Sequence, residues 1–97
     1  VELRKIYSQF SLEDAQKVKE IEAVTNHDVK AVEYFIKDKI QELDLGKATE
    51  FIHFGLTSQD INNTAIPKML KDCIEEVYTP MLIEIVEHLK SLSKIII

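Results

Sequence analysis

Two short stretches of the sequence place groups that exchange protons or bind anions beside small polar residues. The first contains His27 next to Asp28, and the second has His53 four residues before Thr57. Histidine titrates near neutral pH, so it donates or accepts a proton or, when charged, binds an anion. Thr57 and Ser58 add hydroxyls at an expected helix start, where unpaired backbone N–H groups attract carboxylate or phosphate. This pattern indicates two helix starts that are suited to binding an anion.

Each of these residues also has a structural interpretation. Thr57 and Ser58 are typical of helix caps, and His27 is suited to closing a turn. His53 between two apolar neighbours is typical of a core histidine, and His88 is interpreted as a solvated or packing residue. The three histidines do not share one helix face and there is one cysteine, so no metal site is predicted. Neither a Gly-rich phosphate loop nor a serine nucleophile elbow is present.

The composition favours an all-α fold. Hydrophobic residues make up 45% and charged residues 30%, which is globular composition, and two glycines with two prolines leave little material for hairpins. The net charge of −5 has interleaved signs, so no surface for nucleic acid or an anionic membrane is predicted. No stretch approaches the roughly 20 apolar residues of a membrane span. Cys73 alone excludes an internal disulfide and favours a cytoplasmic location; its apolar surroundings predict burial.

The first part of the chain predicts three short helices. Apolar spacing indicates one helix before Ser11 and another after it, with Ser11 as N-cap and Asp14 in the first turn. The apolar pattern then pauses at a polar cluster and resumes at three- and four-residue steps. Thr25 or Asn26 is the expected N-cap of this third helix.

The third helix is expected to have a core face and a wet face. Tyr34 and its neighbour Phe35 fit the core face, whereas charged residues such as Glu33 predict a solvated face with an i,i+4 pair to Lys37. Gly46 is the natural terminator of this helix. A short helical turn is expected to follow over residues 47–51.

A long apolar stripe then predicts one long helix. Gly55 gives the backbone freedom before the helix start, where the Thr57 hydroxyl and the Asp60 carboxylate form a capping pattern. Pro67 and Pro80 should each remove a helical hydrogen bond and bend the axis. The stripe keeps its phase across both, so one kinked helix is expected in preference to a break at residues 78–80.

We therefore expect short helices leading into one long kinked helix that belongs to a multi-helix bundle, because its apolar rows must be covered on more than one side. Residues 1–56 are interpreted as a piece of an N-terminal helical domain and residues 57–97 as the first part of a bundle domain. The chain begins with Val1 and ends in Ile95–Ile97 without a helix stop signal. We expect a piece of a longer protein.

Two longer motifs resemble the adenylosuccinate lyase family of the fumarase/aspartase superfamily. They are TNHDVKAVEYF from Thr25 and EFIHFGLTSQDINNT from Glu50, in matching order and spacing. The resemblance implies a cofactor-free β-elimination that releases fumarate from adenylosuccinate to give AMP in purine biosynthesis. It also implies parallel cleavage of an imidazole carboxamide ribotide intermediate, by a homotetramer whose central helices form a bundle.

The resemblance further implies a set of substrate-binding residues: Asn26, His27, Asp28, His53, Thr57 and Ser58. The first three belong to the nucleotide side, whereas the two hydroxyls donate to the succinyl portion, and His27 matches a histidine with an assisting role. The family's general acid lies in a Thr-His-Gly-Gln-type stretch, and its general base is a serine on a later loop. Neither occurs in these 97 residues, so the chain alone has no catalytic residue and is expected to be inactive.

Two alternatives remain open. One is a non-enzymatic helical interaction module, in which the long stripe binds partner helices and the polar clusters are only caps. The other is a different superfamily member, such as a fumarase or argininosuccinate lyase. The motifs Asn26-His27-Asp28 and Phe51-Ile52-His53-Phe54 argue against this second alternative.

Overall fold

The computed structural model describes residues 2–96, and no strand occurs among them. Val1 and Ile97, the two end residues on which the expectation of a longer protein rests, lie outside the described residues. The elements are α1 (Glu2–Ser8), α2 (Leu12–Thr25), α3 (Asp28–Glu42), a 3-10 helix (Gly46–Phe51), α4 (Ser58–Cys73), a π-helix (Ile74–Tyr78) and α5 (Thr79–Ile96). The all-α prediction is confirmed.

The start of α2 is fixed by a reciprocal pair of hydrogen bonds. The Asp14 N–H donates to Ser11 Oγ and the Ser11 N–H donates to the Asp14 carboxylate, both at 3.1 Å. The bond from the Ser11 backbone is the main reason why the pKa of Asp14 lies below its usual value. Lys39 Nζ lies 3.5 Å from the same carboxylate and so ties α3 to the start of α2. The predicted N-cap is confirmed.

The core formed around α1, α2 and α3 is thin and centred on α3. The buried apolar side chains of the described residues are Ala31, Phe35 and Ile40. Phe35 meets the ring of Phe10 edge-on, with ring centroids 5.8 Å apart. Phe35 therefore occupies the core as predicted, whereas Tyr34 is 40% exposed and its core interpretation is wrong.

The junction between α2 and α3 differs from the prediction. Asn26 adopts left-handed backbone angles (φ 53°, ψ 32°), and its N–H closes α2 by donating to the Glu22 carbonyl at 2.8 Å. The N-cap of α3 is His27, which has extended backbone angles and accepts the Lys30 N–H through its ring. The expected N-cap at Thr25 or Asn26 is wrong because Thr25 still belongs to α2 and Asn26 terminates it.

The end of α3 also differs. The helix ends at Glu42, and the left-handed residue beyond it is Asp44, with φ 59°. Aspartate tolerates this conformation better than most residues that carry a side chain. Gly46 is therefore not the terminator but the first residue of the 3-10 helix. The predicted short helical turn over residues 47–51 is confirmed.

Helical structure continues without a break from Ser58 to Ile96. Pro67 lies inside α4, and Pro80 is the second residue of α5. The π-helix comes directly before Pro80, and there the Thr79 N–H donates to the Ile74 carbonyl, five residues back. Such π segments change the helical register at one point. This one lies just before Pro80, which cannot donate a backbone hydrogen bond. The prediction of one long helix instead of a break at residues 78–80 is confirmed.

Two compact units divide the chain, the first ending at Ile61 and the second beginning at Asn62. The second unit leaves its large apolar side chains exposed, for example Met81 and Leu89 at 59% each. Cys73 is exposed as well, so its predicted burial is wrong: the apolar row to which it belongs is not covered within this unit. Of the helices described, none has the length and apolar character needed to cross a membrane. The division into residues 1–56 and 57–97 stays a prediction.

Replacing Gly55 with alanine tests the turn before α4. Gly55 has φ +70° and open space around the position of a Cβ, so Gly55→Ala should destabilise the first unit by about 1–2 kcal/mol through backbone strain alone. Gly46→Ala is the matched control, because Gly46 lies outside the left-handed region and its nearest neighbour would be Gln41 Cγ at 4.0 Å. Urea unfolding of both variants measures the difference. Equal midpoints would contradict the assigned role of Gly55.

Candidate functional site

His27 stands at the start of α3 and uses one ring nitrogen to cap the helix. Its Nδ1 accepts the Lys30 N–H at 3.2 Å. The Asp28 carboxylate lies 3.6 Å from the same nitrogen, but it is exposed and accepts the Val29 N–H at 2.7 Å. The helix fixes the direction of the Lys30 N–H, so Nδ1 presents its lone pair. The proton of the neutral ring therefore resides on Nε2.

The start of α4 is organised by Asp60. Both donors of Thr57 reach the same carboxylate oxygen, the N–H at 2.7 Å and the hydroxyl at 3.0 Å. These bonds, that from the backbone first, lower the pKa of Asp60 and keep it ionised. The Asp60 half of the predicted capping pattern is therefore confirmed, whereas the Thr57 hydroxyl acts as a donor to the same carboxylate. The consequence for binding is that the two donors of Thr57 point at a carboxylate of the chain itself.

The two helix starts approach each other. Ser58 Oγ, on the first residue of α4, lies 3.5 Å from His27 Nε2. With the ring proton on Nε2, His27 donates and the serine oxygen accepts, which leaves the hydroxyl its own proton for donation. A helix start carries a partial positive charge. The arrangement is suited to an anionic group that takes a hydrogen bond from Ser58.

His53 lies in the turn after the 3-10 helix and faces a different partner. Its Nδ1 is 3.5 Å from Glu33 Oε2 on α3. The His53 side chain is 41% exposed, whereas that of Glu33 is 7% exposed. The core interpretation of His53 is therefore wrong, and so is the prediction that Glu33 belongs to a wet helix face.

Glu33 is a buried carboxylate with cations on both oxygens. Lys30 Nζ lies 2.8 Å from Oε2 and Lys37 Nζ lies 2.9 Å from Oε1, so the predicted pair with Lys37 is confirmed. The hydrogen bond from Lys30, followed by that from Lys37, outweighs the effect of burial and lowers the pKa of Glu33 to about 2. Glu33 in turn raises the pKa of Lys37. The group is a fixed negative charge beside His53.

The six predicted residues do not all meet. His27 and Ser58 come together, and Thr57 and Asp28 flank them in sequence, whereas His53 is paired with Glu33. Asn26 lines a shallow surface pocket formed with side chains of α2, namely Lys19, Glu22 and Ala23. Within residues 2–96, no three His, Cys, Asp or Glu side chains are grouped so as to hold a metal ion.

Glu33 is the functional candidate that sequence reasoning missed. Its spacing from Lys30 and Lys37 is visible in the sequence, because i,i+3 and i,i+4 residues are neighbours on a helix. Its burial is not visible, since it depends on a turn some twenty residues later that brings His53 against α3. An acidic residue flanked by two lysines at helical spacing was the available signal.

Comparison with known proteins gives a consistent result. Residues 2–95 match the family model described as Lyase. The chain is 62% identical to the adenylosuccinate lyase of Dictyostelium discoideum over 82 residues, which are 82% of this chain and 18% of that protein. It is 48% identical over 89 residues to the adenylosuccinate lyase of Escherichia coli K12, covering 91% of this chain and 20% of that protein.

A third relative extends the match. The adenylosuccinate lyase of Legionella pneumophila strain Corby is 47% identical over 93 residues, which are 95% of this chain and 20% of that protein. The chain thus spans about a fifth of the length of the curated relatives it matches. The similarity covers both helix starts that form the site.

Acid should weaken the first unit through Glu33. A carboxylate whose pKa falls from 4.5 unfolded to about 2 folded contributes stability above pH 4.5 that is lost as the pH falls towards 2. At about 1.4 kcal/mol per pH unit, the upper limit of the loss is about 3 kcal/mol. We expect the unfolding free energy of the unchanged chain to fall more steeply than that of Glu33→Gln across this range.

Urea unfolding from pH 7 to pH 2.5 measures this difference. Glu42→Gln is the matched control, since Glu42 lies on the same helix with a side chain that is 65% exposed. Its profile should follow that of the unchanged chain. Parallel profiles for the unchanged chain and Glu33→Gln would refute the assignment of a stabilising charge to Glu33.

Proposed function

The chain belongs to the lyase family whose model spans residues 2–95, and on that premise we propose that it forms part of an adenylosuccinate lyase. The proposed reaction is the β-elimination of fumarate from adenylosuccinate to give AMP, with the related cleavage of the imidazole carboxamide ribotide intermediate. The observation that carries this proposal is the approach of His27 Nε2 to Ser58 Oγ at 3.5 Å. It joins the two sequence motifs at two helix starts.

The substrate offers anions that suit this arrangement. The succinyl group of adenylosuccinate carries two carboxylates and its nucleotide carries a phosphate. Ser58 is proposed to donate a hydrogen bond from its hydroxyl to a succinyl carboxylate, assisted by the partial positive charge at the start of α4. His27 orients that hydroxyl by donating to its oxygen.

The other predicted residues contribute to binding to different extents in this proposal. Thr57 contacts the succinyl group only if Asp60 yields one of its two hydrogen bonds, so its first role is to shape the helix start. Asp28 and Asn26 flank His27 on the proposed nucleotide side, and His53 binds from the neighbouring turn. We propose that the general acid and base come from segments beyond these 97 residues, with no cofactor.

The second unit supports the proposal of a helical assembly. Its apolar side chains are exposed along α4, the π-helix and α5, as shown by Leu70 at 59% and Val77 at 52%. Rows of this kind need other helices to cover them. We propose the homotetrameric bundle implied by the family resemblance, in a cytoplasmic enzyme.

The decisive assay for this function uses the full-length product of the gene. Incubation with adenylosuccinate should release fumarate and AMP, whereas the 97-residue chain alone should release none. A full-length protein that assembles through its helices but releases no fumarate would favour the alternative of a helical interaction module. Activity on argininosuccinate or malate instead would assign it to another branch of the superfamily.

Ser58→Ala in the full-length protein tests the role of the hydroxyl. Loss of a hydrogen bond to a charged group should weaken transition-state binding by roughly 1–3 kcal/mol, which is about a 5- to 150-fold lower kcat/KM. Ser8→Ala is the control, because Ser8 is an exposed serine at the end of α1. Steady-state fumarate release measures both. Unchanged kinetics in Ser58→Ala would remove Ser58 from the site.

A further inference from the structure

Glu33 has no part in the chemistry proposed above, yet it is the one charged side chain buried among the described residues, at 6% exposure. Its Oε2 lies 3.5 Å from Nδ1 of His53. This contact joins two elements far apart in sequence: α3 and the turn that follows the 3-10 helix. A carboxylate that solvent hardly reaches therefore lies beside the His53 ring.

The charges around His53 come from both elements packed there. On α3 they are Glu33 with its two partners, Lys30 at 2.8 Å and Lys37 at 2.9 Å. On the 3-10 helix, Glu50 acts on Lys37 and contributes to raising its pKa. The two lysines hold the Glu33 carboxylate ionised and in place. Each of its oxygens has a cation, and Oε2 in addition faces the histidine ring.

The contact decides where the proton of the neutral His53 ring resides. A lone pair on Nδ1 would face the negative oxygen and be repelled by it, whereas an N–H at the same position is attracted. In a histidine, the partner of one nitrogen sets the protonation of the other. Nδ1 therefore carries the proton and Nε2 carries the lone pair. This is the reverse of His27, whose Nδ1 accepts the Lys30 N–H at 3.2 Å.

We propose that Glu33 is a positioning residue that holds His53 in the Nδ1–H form, so that Nε2 is the nitrogen left for a ligand. In the neutral ring Nε2 accepts a hydrogen bond from an O–H or N–H group, and in the protonated ring it donates to an anion such as phosphate or carboxylate. The inference rests on the proposed function only in taking the ligand of His53 to be the substrate. The tautomer follows from the contact with Glu33.

Nitrogen-15 NMR of the histidine rings tests this in the 97-residue chain. At a pH where the rings are neutral, protonated and unprotonated ring nitrogens have well-separated chemical shifts. We expect His53 as Nδ1–H and His27 as Nε2–H. His88, which is exposed on α5, should show the mixture of free histidine. Finding His53 as Nε2–H in the unchanged chain would overturn the proposal.

Glu33→Leu removes the carboxylate, and His53 should then return to the Nε2–H form that histidine prefers in water. The Nε2–H signal of His27 should persist, which shows that α3 still begins at its cap. Glu42→Leu is the matched control on the exposed side of the same helix and should leave His53 as Nδ1–H. A His53 ring that stays Nδ1–H in Glu33→Leu, with the His27 signal intact, overturns the role of Glu33.

This test is independent of lyase activity. If the full-length protein releases no fumarate, the proposed function fails while the tautomer of His53 still reports on Glu33. If the tautomer does not respond to Glu33→Leu, the positioning role fails while the fumarate assay stands. A folded Glu33→Gln variant gives a second reading: its amide oxygen can still accept from Nδ1–H although it carries no charge, so His53 should keep a larger Nδ1–H fraction than in Glu33→Leu.

Discussion

The buried carboxylate of Glu33 is the constraint on which the first unit depends. A charge removed from water is stabilised only by close partners, and Glu33 has Lys30, Lys37 and His53 within 3.5 Å. Two of these partners are its own helical neighbours. The third comes from the turn after the 3-10 helix. That turn therefore lies against α3 with His53 beside Glu33, and the start of α4 follows it a few residues later.

The thin core explains why polar contacts carry so much of this docking. Ala31 and Phe35 are buried, and the ring of Phe10, which precedes α2, packs edge-on against that of Phe35. Glu33 lies between them in sequence and points to another side of α3. The helix is thus held on one side by apolar burial and on another by ion pairs. A helix this short has little stability without such tertiary contacts.

Local signals in the sequence predicted much of the fold, because they act within one helical turn. The Ser11–Asp14 box and the Thr57–Asp60 pair belong to this class. The long helix was predicted instead from an apolar stripe that keeps its phase across Pro80. One error arose where a less common residue took a usual role, as His27 did for the cap. Others concerned burial, as at Glu33 and Cys73. The approach of His27 to Ser58 joins residues 31 positions apart. Only the family resemblance, not residue spacing, indicated that they share a site.

The opposite tautomers of the two histidines follow from the group that faces Nδ1 of each ring, and they explain how two similar side chains take different roles. At His27 a helix N–H donates to Nδ1, so the ring proton resides on Nε2, and Ser58 Oγ accepts a hydrogen bond from it. At His53 the Glu33 carboxylate lies beside Nδ1 and favours the tautomer with the proton on that nitrogen. One ring therefore offers a donor to its surroundings and the other an acceptor. Neither role can be read from the residue type, because the same imidazole supports both and the neighbour on the other nitrogen decides.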